Sequence, residues 1–151
     1  MSDRLRKQID VERQQLRRLL EVHQPLLVEC TSREPTNIEL SALSFFLETF
    51  YSGIENIFKR VALEIDEGLP QGEAWHRKLL DAMASPTTRR GEVISSDLKN
   101  QLDEYLAFRH VSRYSYSFNL QWNKMAALVS NCEKTLHRLE SELNAFLKTI
   151  P

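Results

Sequence analysis

Five residues able to do chemistry fall within eight consecutive positions: Arg109, His110, Arg113, Tyr114 and Tyr116, in the stretch Phe108-Arg109-His110-Val111-Ser112-Arg113-Tyr114-Ser115-Tyr116-Ser117-Phe118. A guanidinium offers paired N–H donors that match a phosphate, so Arg109 and Arg113 form a clamp for such a group. An imidazole exchanges a proton near neutral pH, whereas a phenol, with a pKa of about 10, donates a hydrogen bond but rarely holds the basic form. The helical stripe Leu98, Leu102, Tyr105 continues, at spacings of three or four, as Arg109, Arg113 and Tyr116, so an apolar seam turns cationic. A neighbouring stripe of Tyr105, Phe108, Val111, Ser115 and Phe118 is expected to stay buried and anchor the segment.

The remainder of the chain must position this stretch, and its pattern is helical throughout. Residues Asp3 to Cys30 carry Ile9, Leu16, Leu19, Leu20, Leu26 and Leu27 among many charges, with Pro25 expected to kink or divide the helix. A second helix starts after Thr36, whose hydroxyl and Glu39 three residues on form a capping box, and runs to about Glu67. Its stripe (Leu40, Leu43, Phe46, Leu47, Phe50, Ile54, Ile57, Phe58, Val61, Ile65) makes it the expected centre of the fold, and Gly53 within it predicts close helix approach. The run from Gly68 to Gly72 is a turn; a short helix follows from Glu73 to Ala84, then a loop from Ser85 to Glu92, with Arg89 and Arg90 read as solvated. Ser95 or Ser96 caps the helix that leads into the cationic stretch, and a last helix spans about Gln121 to Ile150. No segment alternates as a strand would. The expected fold is all-α, an up-and-down bundle of four long helices plus one short helix, as a single domain over residues 1–151.

Composition bounds the function. Twenty Lys+Arg against 21 Asp+Glu give a net charge of -1, so attraction to a polyanion has to be local rather than global. Cys30 and Cys132 have no metal-ligand spacing and sit in apolar helical patterns, which fits two reduced, buried thiols, with a disulfide between them the alternative. The charged stretch from Met1 to Leu20 holds no signal-peptide core and no segment is apolar enough to span a bilayer, so the expected location is the cytoplasm and no membrane partner is expected. His23, His76 and His137 lie far apart without partners at ligand spacing and are read as packing or surface residues. Glu64, Asp66 and Glu67 read as a solvated helix end, and no glycine loop or nucleophile elbow occurs. No cofactor and no metal are expected. The plainest alternative for Arg109 and Arg113 is structural pairing with carboxylates across a helix or dimer interface, Glu55 or Glu64 being the candidates.

The stretch from Phe108 to Tyr116 resembles the motif of HepT-like proteins of the HEPN superfamily: an Arg, a polar residue, three further positions, a His, one spacer and a Tyr. Tyr51-Ser52-Gly53-Ile54-Glu55-Asn56-Ile57-Phe58 and Gly68-Leu69-Pro70-Gln71-Gly72-Glu73-Ala74-Trp75-His76 extend the resemblance to about half the chain. It implies a helical bundle that forms a homodimer with the motif helices facing one another across a composite cleft. It implies metal-independent RNA cleavage, and a minimal nucleotidyltransferase as antitoxin partner. Carried over by position, Arg109 takes the phosphate role, His110 is the polar residue, and Tyr116 is the tyrosine that the nucleotidyltransferase modifies with AMP.

The chain departs from the motif at one place: where active members have His, it has Tyr114. Because a phenol is a poor base at pH 7, proton transfer there falls to Tyr114 as a donor or to His110, four residues earlier and one turn below it on the same helical face. Two functions are therefore expected. One is a HepT-like endoribonuclease toxin regulated by its nucleotidyltransferase. The other is a catalytically weakened dimer that binds a nucleotide, RNA or the nucleotidyltransferase without chemistry. A purely structural helical scaffold is the third and plainest reading.

Overall fold

In the computed structural model, which describes residues 2–151, the chain folds into α1 (Ser2–Glu29), α2 (Asn37–Glu64), α3 (Trp75–Met83), α4 (Ser96–Ser112) and α5 (Trp122–Leu147), with a single 3-10 turn at Ser117–Asn119. Among the described residues there is no strand. Four helices are long and α3 is short, as the periodicity predicts.

Helix α2 is the axis. It touches every other element, while α1 packs on α2 and α5, α4 packs on α2 and α5, and α3 lies across α2 and α4. Its start is fixed by the expected capping box: Glu39 N–H donates to Thr36 Oγ1 at 3.2 Å, and Thr36 N–H donates to Glu39 Oε1 at 2.9 Å. Phe46, Phe50, Ile54, Ile57 and Phe58 are completely buried along it, each contributing about 1.5–3 kcal/mol by leaving water. Gly53 lets α1 come close, since a methyl group at that position would lie 2.6 Å from Leu16 Cδ2. The Phe50 ring meets Tyr105 of α4 at 5.3 Å, and the buried Tyr105 hydroxyl donates to the Leu128 carbonyl of α5 at 2.7 Å. That one side chain therefore ties three helices together below the site.

Polar clamps complete the bundle. Glu140 of α5 is buried and is held by Arg13 at 3.3 Å and Arg17 at 2.7 Å, which joins α1 to α5. Arg90, expected as a solvated loop residue, is instead buried. It donates to both carboxylate oxygens of Asp66, at 2.9 and 2.8 Å, and to the carbonyls of Ser85, Gly91 and Ala82. Asp66 accordingly belongs to a buried clamp rather than a solvated helix end, and of the two arginines Arg89, paired with Glu67 at 2.7 Å, keeps the exposed character expected of it. A fork that satisfies a carboxylate, two loop carbonyls and one carbonyl of α3 is what holds the turn between α3 and α4 in place.

Several boundaries differ from expectation. α1 runs undivided through Pro25, and α2 ends at Glu64, before Glu67. More consequentially, α4 stops at Ser112 rather than carrying the whole cationic stretch. Ser112 Oγ donates to the Arg109 carbonyl at 3.3 Å and Ser115 Oγ to the Val111 carbonyl at 3.0 Å, while Tyr114 N–H turns back to Val111 at 3.3 Å. These hydroxyls satisfy terminal carbonyls that another helical turn would otherwise use. The expected buried stripe is corrected as well: Phe108 packs against the core, but Val111 and Phe118 are 62% and 66% exposed, and Ser115 is exposed.

Candidate functional site

Arg109 and His110 lie in the last turn of α4. There the orphan carbonyls carry partial negative charge, so cations are favoured at this end of the helix. Arg109 is half-buried, and its Nε–H donates to Ser52 Oγ of α2 at 3.2 Å. That bond engages the Nε edge of the guanidinium and leaves the two terminal nitrogens for a ligand. Arg113, just past the helix end, is exposed, with its guanidinium 5.9 Å from the Tyr114 ring centre. Neither arginine has a carboxylate partner among the described residues. Glu55 is bonded to His76 and Glu64 to Arg4, so the intrachain pairings considered for the two arginines are both taken by others.

A cleft of about 500 Å³ opens between the start of α3 and the end of α4, and Arg109, His110 and Arg113 all line it. The structure thus brings together three of the five candidate residues. Tyr114 and Tyr116 stand beside the cleft on the segment after α4, 78% and 72% exposed. The His110 and Tyr114 rings meet edge to face at 6.2 Å, so the two are close, though across a turn and not along a shared helical face. Tyr116 stacks on Phe118 at 5.3 Å with the rings nearly parallel.

Two further residues face the same cleft from α3, His76 and Arg77. The Arg77 guanidinium is paired with Asp103 of α4, which fastens α3 to the helix carrying Arg109. His76 Nδ1 lies 2.7 Å from Oε2 of the buried Glu55. The indole of Trp75 stacks on the imidazole at 3.8 Å, and Lys59 Nζ sits 5.0 Å from the Trp75 ring centre. Reading the sequence residue by residue left His76 a packing histidine. Twenty-one positions separate it from Glu55, and no local spacing announces a contact made only when α3 folds across α2.

Beneath the cleft, the Tyr51 hydroxyl is buried with no hydrogen-bond partner. Burial raises its pKa strongly, the charges of Glu55 and Asp103 raise it further, and Arg109 and Arg77 oppose them, so the phenol stays protonated. Its presence beside these four groups marks a charged layer between the apolar core and the cleft. Among the described residues no three His, Cys, Asp or Glu side chains gather where they could hold a metal ion. Cys30 and Cys132 are both free and buried, and burial raises both thiols, Cys132 to about 11. No helix of the described residues is long and apolar enough to cross a membrane.

Comparison with curated proteins and with solved structures gives no match. A family model described as HepT-like protein does match, over residues 42–150, which takes in most of α2, the cleft and α5. The match covers well over half of the chain and includes each of the three segments on which the resemblance rests. The chain therefore belongs to the HepT-like proteins of the HEPN superfamily.

Proposed function

We propose that this HepT-like chain is a cytoplasmic endoribonuclease of a toxin–antitoxin module. It acts without a metal as a homodimer with a composite cleft, and a minimal nucleotidyltransferase regulates it by adding AMP to Tyr116. The observation that carries the reading is the cleft itself: Arg109, braced by Ser52, shares it with Arg113 and His110, and no carboxylate of the described residues neutralises either arginine. In cleavage, Arg109 and Arg113 hold the scissile phosphate and stabilise the charge that builds on its oxygens. His110 and Tyr114 offer groups for proton transfer. Supporting dimerisation, Val111, Tyr114, Tyr116 and Phe118 form an exposed apolar and aromatic run beside the cleft. In the single protomer Tyr116 is largely exposed and outside any helix, where a modifying enzyme can reach it.

Expression without the nucleotidyltransferase tests the reading. Growth arrest that Arg109→Ala relieves, with degraded cellular RNA in the wild-type culture only, is the expected result. Harmless expression together with intact RNA after incubation with purified dimer would overturn it.

One observation favours a second reading. The phenol at Tyr114 stands where the family motif has its imidazole, and a chain with no working base would bind RNA, a nucleotide or the nucleotidyltransferase without cutting. Binding that depends on Arg109, with no cleavage product, is the mark of that weakened module.

A further inference from the structure

We infer that His76, oriented by Glu55, is the proton-transfer group of the Arg109 cleft and supplies the imidazole that Tyr114 does not; this rests on the ribonuclease reading above. Glu55 is 3% exposed, and among the described residues its only basic partner at ion-pair distance is His76. A buried carboxylate is costly unless it is bonded, so its place in α2 requires a donor, and the donor it has is an imidazole at the mouth of a cleft. The ionised carboxylate can only accept, so Nδ1 of His76 carries the hydrogen and the neutral ring keeps its lone pair at Nε2. His76 remains 26% exposed along its side chain and lines the cleft with Arg109 and Arg113. Trp75, stacked on the ring, limits its tilt.

His110 lines the same cleft but is exposed, with no hydrogen-bond partner among the described residues to fix its tautomer. A base works best when its free nitrogen is held in one direction, and of the two imidazoles only His76 has that support.

The reaction that follows is transesterification. Nε2 of His76 takes the proton of the ribose 2′-hydroxyl. The 2′-oxygen bonds to phosphorus, the bond from phosphorus to the 5′-oxygen breaks, and that leaving oxygen takes a proton from solvent. A 2′,3′-cyclic phosphate and a 5′-hydroxyl result, and the imidazolium returns its proton to water. Arg109 and Arg113 neutralise the charge on the phosphoryl oxygens throughout. Glu55 is a positioning residue, acting only through His76.

The charged groups around the ring come from three helices. Glu55 and, beyond Trp75, Lys59 belong to α2; Arg77 is on α3 with His76; Asp103, Arg109 and His110 are on α4 with Arg113 just past its end, and Glu73 lies just ahead of α3. Of these, Glu55 is the one bonded to the ring.

The test uses the full-length chain and a fluorescent single-stranded oligoribonucleotide of mixed sequence, with pH–rate profiles for wild type, His76→Gln, Glu55→Gln, Glu55→Asp and Arg109→Ala. Removing a proton-transfer group costs about 10²–10⁴-fold, so His76→Gln is expected to lose that much and the acidic limb of its profile. Glu55→Gln is expected to keep the acidic limb but lower the rate about tenfold, and Glu55→Asp to recover part of that loss, a rescue that a purely structural strut would not produce. Should His76→Gln fail to fold, as judged by circular dichroism, the Glu55→Gln and Glu55→Asp rates decide. A second readout is the imidazole C–H signal of His76 in the wild-type chain, expected to shift on addition of a 2′-O-methyl oligoribonucleotide while that of His137 stays put. The inference is overturned if Arg109→Ala abolishes cleavage while His76→Gln retains the wild-type rate and profile. A wild-type chain that cuts no RNA overturns the ribonuclease reading itself, and the inference with it.

Discussion

Arg109 of α4 donates from Nε to Ser52 Oγ of α2 at 3.2 Å, linking the motif arginine to the helix around which the fold is built. A partly buried hydrogen bond of this kind contributes about 0.5–1.5 kcal/mol net, small for the fold but decisive for where a guanidinium points. Ser52→Ala is expected to leave thermal unfolding within a few degrees of wild type and to weaken RNA cleavage about tenfold through a less well-aimed arginine. Arg109→Lys should cost nearly as much activity as Arg109→Ala, since an ammonium can neither keep the Nε bond nor present a fork. Cleavage by the lysine variant at the wild-type rate would mean that charge alone is what matters there.

Tyr114 lies past the end of α4, its ring 6.2 Å from that of His110 and 5.9 Å from the Arg113 guanidinium. Restoring the family residue with Tyr114→His places a third imidazole beside the cleft, after His76 and His110. If His76 supplies proton transfer as proposed, the gain should be less than about tenfold, well short of the 10²–10⁴ that a first general base provides. Single-turnover cleavage rates measure it directly. A gain in the larger range would mean that the parent chain has no working base.

The helices were legible because their cause is local. Apolar spacing marks α2 and α5, Thr36 with Glu39 marks where α2 begins, and Gly53 marks where α1 approaches. The end of α4 was harder to see. No glycine or proline occurs between Gly91 and Pro151, so the usual punctuation is missing, and the only signal is the pair Ser112 and Ser115, whose hydroxyls compete for backbone carbonyls. The Arg90–Asp66 and His76–Glu55 pairs left no pattern at all, since each joins residues more than twenty positions apart that meet only after α3 packs across α2. Half of the cleft was therefore readable, the half that one helix carries, while the α3 side needed the tertiary fold.

Arg90 predicts a stability effect where no function is involved. Its side chain is fully buried against Asp66 and three carbonyls, so Arg90→Ala strands a carboxylate and several acceptors at once. Breaking such a buried pair typically costs about 3–5 kcal/mol. Urea unfolding of Arg90→Ala should show a loss of that order, against little change for Arg89→Ala, whose partner Glu67 is exposed.

Acid should act on the start of α2. The Arg33 guanidinium, together with the Thr36 backbone N–H, holds the Glu39 carboxyl down at about 2. A carboxylate with a lowered folded-state pKa adds stability above its unfolded value of about 4.3, and that contribution fades as the pH falls toward 2. The carboxyl is solvent-screened, so the effect is modest. Carboxyl NMR should give Glu39 a midpoint near 2, and the stability gap between wild type and Glu39→Gln should close between pH 4.5 and 2. A midpoint in the ordinary carboxylate range would show that the capping box and the Arg33 pair do not hold in solution.

Phe118 stacks on Tyr116 at 5.3 Å on the segment between α4 and α5, and both rings face solvent. Val111 and Tyr114 on the same stretch are exposed too, so four large apolar or aromatic side chains lie open to solvent between Val111 and Phe118. If a second copy of the chain covers this run, Phe118→Asp puts a charge into the contact and should turn the dimer into a monomer in sedimentation experiments. Thermal stability of the protomer should change little, because an exposed ring contributes little to the fold. On the proposed reading of a composite cleft shared by two copies, cleavage should fall with the dimer. A Phe118→Asp chain that sediments as wild type would move the dimer interface away from this segment, and Tyr116 would then be reachable in the dimer as in the monomer.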